Sequence, residues 1–108
     1  MPVSTHLLEP DLAHDAAVLI RWASQTPEVT RLWLFGSRIR GTHRPGSDLD
    51  VAVEYVGNPN DVGAQLDKWR EALKGKTRLR HHLETYRPGV NTRIQGALAA
   101  CSLLIYER

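Results

Sequence analysis

Leu34-Phe35-Gly36-Ser37-Arg38-Ile39-Arg40-Gly41, followed by Ser47-Asp48-Leu49-Asp50-Val51, is the stretch on which the fold turns. Val29 to Phe35 is short, apolar and β-prone, as a buried strand should be. A glycine at its end lets the backbone turn sharply and approach a ligand. Ser37 adds a hydroxyl and an N–H, and a short helix starting there would aim its positive end outward, the ingredients of an anion site. From Ser47 the pattern alternates. Asp48, Asp50, Ala52 and Glu54 fall on one face, Leu49, Val51, Val53 and Tyr55 on the other. Two carboxylates on one strand face, roughly 6–7 Å apart at the backbone, repel each other unless a cation lies between them. Mg²⁺ suits such a pair, because it prefers carboxylate oxygens and takes further ligands from phosphates. Phosphate beside metal points to a nucleoside triphosphate.

Outward from this stretch the chain alternates helix and strand. Glu9-Pro10-Asp11 is a helix start, and Leu12, Ala16, Leu19, Ile20 and Ala23 recur at helical spacing as far as about Ser24. Arg38 to Gly41 turns as a brief helix. After Gly57-Asn58-Pro59-Asn60, Asp61 is placed to cap a helix carrying Val62, Leu66, Trp69 and Leu73. Arg78 to Tyr86 alternates again, with Arg80, His82, Glu84 and Tyr86 on one face. A helix over about Val90 to Ala99 and a strand through Leu103–Tyr106 follow. The order α-β-β-α-β-α-β predicts an α/β (α+β) fold, a small mixed sheet with helices mainly on one face.

At 108 residues, 42% hydrophobic and 24% charged, the chain is expected to form one globular domain. A formal net charge of +2 is too mild to indicate nucleic acid, whose binders carry a concentrated basic face. Arg38, Arg40 and Arg44 do cluster between the two halves of the motif, where a guanidinium could meet ligand phosphate. A single cysteine excludes an intrachain disulfide and fits a reducing compartment. Cys101 lies in an apolar run and is expected to be a buried structural thiol. Met1–His6 lacks the features of a secretion signal, and no apolar run reaches the roughly 20 residues a bilayer requires. The expectation is a cytoplasmic protein. The five histidines form no metal-ligand spacing, although His82 shares a face with Glu84. Trp22, Trp33 and Trp69 are expected in core or interface.

The two motif halves closely resemble the signature of the DNA polymerase β-like nucleotidyltransferase superfamily. In particular they resemble the minimal nucleotidyltransferases, which read Gly-Ser-x-Ala-Arg-Gly and then Ser-Asp-x-Asp. Ile39 stands where the family usually has alanine. The resemblance covers essentially the whole chain, so residues 1–108 are expected to form a single minimal nucleotidyltransferase domain. It implies a nucleotide site at Gly36 and Ser37, with Arg38 and Arg40 beside it. It also implies one or two Mg²⁺ ions, held by Asp48 and Asp50 and by a third carboxylate on a later strand. Glu84 is the candidate for that third acid, although most members have aspartate there. Glu54, about 13 Å along the strand from Asp50, is too far to share an ion.

Asp48, Asp50 and Glu84 are thus both the metal ligands and the catalytic residues of the resemblance. The implied activity is transfer of a nucleoside monophosphate, AMP from ATP, to a hydroxyl acceptor, with Glu84 helping to take its proton. The resemblance further implies a toxin–antitoxin module. In it a helical HEPN-type partner protein, or a second copy of the chain, supplies the acceptor. The competing reading is a non-catalytic antitoxin that keeps the fold and neutralises a toxin sterically. A small-molecule transferase is a third, disfavoured because such enzymes usually carry an extra domain.

Overall fold

A computed structural model describes residues 9–42, 44 and 46–108. Helix α1 (Pro10–Ser24) starts with proline in its first turn and leads to β1 (Val29–Phe35). The brief α2 (Ser37–Arg40) follows at once. β2 (Leu49–Tyr55), a 3₁₀ turn (Pro59–Asp61), α3 (Val62–Leu73), β3 (His81–Tyr86), α4 (Thr92–Ala100) and β4 (Ser102–Glu107) complete the order. The N-terminal segment inspected for a secretion signal, and Pro45 of the basic loop, lie outside the described residues.

The four strands form one mixed sheet in the order β3-β2-β1-β4. β1 pairs antiparallel with β2 and β4, whereas β2 and β3 are parallel. Parallel neighbours need a crossover, and α3 supplies it. Period-two alternation divides the side chains between the faces. Leu32, Leu34, Leu49, Val51, Val53, Leu83 and Ile105 point to the face covered by α1 and α3, through Leu12, Ala16, Leu19, Ala23, Trp69 and Leu73. Phe35, Ala52 and Tyr86 point to the other face, where Ile94 of α4 packs on them. Two of the three long helices therefore share one face, and α4 covers part of the second. Ile39 packs against the larger core, so its bulk is absorbed there.

Several expectations need correction. β3 begins at His81 rather than Arg78, because Asp15 of α1 captures the chain before it. The wholly buried Asp15 carboxylate accepts the backbone N–H of Arg78 at 2.7 Å and of Leu79 at 2.8 Å. His14 Nδ1 lies 2.8 Å from the same carboxylate. Those two amides are thus spent on a side chain and cannot enter a ladder. Asp61 stands at the N-cap position of α3 as expected, but it ends the 3₁₀ turn and its side chain makes no cap bond. Cys101 is half-exposed rather than buried, since it joins the end of α4 to the edge strand β4. Trp69 is buried as expected, edge-to-face with Trp22 and Tyr55. Trp22 and Trp33 are only half-buried. Among the described residues no helix is long and apolar enough to cross a membrane.

Candidate nucleotidyl-transfer site

The two halves of the motif meet at one end of the sheet, where β1 finishes and β2 and β3 begin. Asp50 stands opposite Phe35 on one side and His82 on the other. Gly36 has φ +85° and ψ −163°, a region essentially reserved for glycine. A Cβ at this position would collide with Asp50 Oδ2. Backbone and neighbour therefore both demand glycine, and the Asp50 carboxylate lies directly against the turn. The Gly36 carbonyl accepts the N–H groups of Ile39 and Arg40 at 3.1 and 3.0 Å, which winds α2. The N–H groups of Ser37 and Arg38, at the start of that turn, have no acceptor within the helix.

The spacing between the halves has a structural cause. Arg38 Nε donates to the Ser47 carbonyl at 2.8 Å, and Ser47 Oγ accepts the Arg44 N–H at 3.0 Å. Arg38 thereby closes the basic loop through its Nε. Arg40 is exposed, and its charge acts on Asp50.

The carboxylates are neighbours but do not converge. Asp48 immediately precedes β2, and its Oδ1 accepts Arg80 Nε at 2.5 Å. Glu84 pairs in register with Ala52, so it lies diagonally from Asp50, about 7–8 Å away at the backbone. Glu84 Oε1 accepts Arg93 Nη2 of α4 at 2.6 Å and lies 3.5 Å from His82 Nε2. Among the described residues no three acidic, histidine or cysteine side chains come together as a ready metal cage. Glu54 is occupied elsewhere: it accepts Thr30 Oγ1 at 2.9 Å and lies 3.4 Å from Arg31.

Electrostatics single out Asp50. Burial pushes its carboxyl above the ordinary value; Glu84 and Asp48 add to the rise, while His82 and Arg40 oppose it. A half-buried carboxylate flanked by two others is a place where an oxygen-seeking cation relieves repulsion. Asp48 and Asp50 are oxygen donors on consecutive same-face positions, so the residues present fit Mg²⁺ shared with ligand phosphates. Behind the site Ala52 is small enough for Trp33 and Tyr86 to meet edge-to-face, ring centroids 5.3 Å apart, bracing β3.

Sequence reasoning did not single out Arg80, Arg93 or Asp15. Arg80 was detectable as the same-face neighbour of His82 and Glu84, but its partner Asp48 is 32 residues away. His82, considered only as a possible neighbour of Glu84, stands beside Asp50 in the parallel register.

A four-stranded mixed sheet with a Gly-Ser turn facing an Asp-x-Asp strand defines a nucleotidyltransferase-type domain. Residues 18–94 match the nucleotidyltransferase domain family, and the chain belongs to it. No curated protein matches it. Among solved structures, the fold is similar to a chain of a toxin–antitoxin complex with AMP-PNP (TM-score 0.61, 20% identity, 87% of this chain and 74% of that one). It is likewise similar to a chain of a mutant MntA–HpeT toxin–antitoxin pair (TM-score 0.60, 18% identity, 86% and 73%). A third is a chain of the tri-AMPylated Shewanella oneidensis HEPN toxin in complex with MNT antitoxin (TM-score 0.55, 16% identity, 97% and 74%). At these identities the likeness establishes the fold alone.

Proposed function

We propose that residues 1–108 act as one minimal nucleotidyltransferase domain that moves AMP from ATP to a hydroxyl on a partner protein of the HEPN toxin type. The observation that carries this reading is the close contact of the Asp50 carboxylate with the bare α-carbon of Gly36, which joins the two halves of the motif and excludes a side chain at position 36. Gly36 brings the backbone close, and Ser37 offers its hydroxyl and N–H to the phosphates. Arg40 adds positive charge at the same end. Asp48 and Asp50 would hold Mg²⁺, which when bound supplies charge neutralisation at the transferring phosphate. Glu84 would take the acceptor proton. In the transfer, the acceptor oxygen bonds to the α-phosphorus, the bond to pyrophosphate breaks, and the hydroxyl proton goes to Glu84. A cytoplasmic setting, with Cys101 reduced, accompanies this proposal.

One observation favours the steric, non-catalytic alternative: Arg80 and Arg93 already neutralise Asp48 and Glu84. The two readings separate in one assay. The protein is incubated with α-labelled ATP, Mg²⁺ and a HEPN-type partner, and label on protein is followed. Transfer that disappears in the Asp48→Ala, Asp50→Ala double variant is the expected result. Absence of transfer, with the double variant still neutralising the toxin, establishes the steric reading instead.

A further inference from the structure

From the end of α3 to the outer edge of β3 runs a charged groove that adjoins the candidate site at Glu84. Its larger part, about 740 Å³, lies between the end of α3 and the connector to β3, and carries Arg70, Lys74, Arg78 and Arg80 against Asp67 and Glu71. Its smaller part, about 250 Å³, is walled by His82, Glu84 and Arg93. Arg70 lines both, so the two adjoin at its side chain. At one end Arg80 reaches Asp48; at the other lies Glu84. β3 is the edge strand on this side, so its outer backbone has no partner strand among the described residues.

We infer that this groove docks an acidic, extended segment of the acceptor protein and delivers its hydroxyl to Glu84. The inference rests on the proposed transfer to a protein hydroxyl and names the chemistry that selects the acceptor. Charge complementarity carries it. Among the described residues Arg70 and Arg78 have loose ion-pair partners, Asp67 at 3.7 Å and Asp11 at 3.5 Å, on exposed chains. Such pairs are weak and exchange readily for a partner's carboxylates, which guanidinium binds in fork geometry. Asp67 and Glu71 break the positive charge of the groove into separate patches, which suits a segment with spaced carboxylates better than a phosphodiester chain charged at every nucleotide. An extended peptide can also use the free edge of β3, with alternate side chains entering the groove.

The test uses three fluorescein-labelled probes on the whole chain: a glutamate-rich peptide with one tyrosine, its glutamine-rich counterpart, and a ten-nucleotide oligouridylate. Fluorescence anisotropy should show the acidic peptide binding about tenfold or more tighter than the neutral one, with the advantage lost in 0.5 M salt. Lys74→Glu with Arg78→Glu should remove about tenfold or more of that affinity, while AMP-PNP affinity stays as in the parent. If the double reversal does not fold, Lys74→Gln with Arg78→Gln carries the same test with a loss of about threefold. Equal binding of both peptides, a preference for the oligouridylate, or indifference to the variants overturns the inference. With labelled ATP and Mg²⁺ added, an acidic peptide that binds but is never labelled leaves the docking surface standing and removes the transferase reading. Labelling of both peptides at equal kcat/KM removes the docking surface and leaves the transferase.

Discussion

Replacing Gly36 by alanine tests the geometry on which the candidate site rests. Two independent costs are expected. A non-glycine residue held at φ +85°, ψ −163° is destabilised by about 1–3 kcal/mol. The new methyl also meets the Asp50 carboxylate, with Cγ at 3.0 Å and Cβ at 3.2 Å behind the colliding oxygen. Overpacking of this kind costs about 1–3 kcal/mol, and the half-buried Asp50 can swing aside, which places it at the lower end. The sum is about 3 kcal/mol, or a fall in Tm of about 12 °C for a domain of this size. The same substitution in an Asp50→Ala background loses the clash with Oδ2 and Cγ and keeps the backbone strain, so it should cost about 2 kcal/mol. Urea unfolding of the four proteins then gives a coupling of about 1 kcal/mol. Equal costs in both backgrounds would refute the contact between Gly36 and Asp50. A cost below about 0.5 kcal/mol in both would refute the strained turn as well.

Asp15→Ala strands the amides of Arg78 and Leu79 and should lower stability by about 3 kcal/mol, whereas Asp15→Asn, keeping one acceptor, should cost about half as much; urea unfolding separates them. Burial holds the His81 imidazole below its ordinary value, so as pH falls below 6.5 the unfolded chain takes up the proton first. Stability present above that pH is therefore lost as pH drops through the lowered folded value, and His81→Gln should flatten the dependence measured between pH 7 and 5. Trp69→Ala should cost about 4 kcal/mol. Trp69→Phe should cost about 1 kcal/mol, because a ring still packs between Trp22 and Tyr55 and a buried Nε1–H without a partner among the described residues is removed.

What could be read from the chain follows the range of the forces involved. Periodicity is local, and the alternation from Leu49 to Tyr55 and the helical spacing of Leu12, Ala16, Leu19 and Ala23 appear in the structure as the buried faces of β2 and α1. The start of β3 was misplaced by three residues because a carboxylate more than 60 residues upstream captures its leading amides. Asp61 does take the N-cap position of α3, but as the last residue of a 3₁₀ turn it makes no side-chain cap bond. Cys101 was misjudged from an apolar run that ends at an edge strand.

By itself, the sequence determined the Gly36-Ser37 turn, the same-face placement of Asp48 and Asp50, and the class of fold, since each depends on backbone preference and two-residue or 3.6-residue spacing. Only the tertiary structure decided which charges meet. It set Asp50 against the bare α-carbon of Gly36, gave Asp48 to Arg80 and Glu84 to Arg93, and gathered dispersed cations into one groove along β3. The physical reason is that ion pairs and close contacts form between residues distant in the chain, and their geometry exists only once the sheet order β3-β2-β1-β4 brings the strands together.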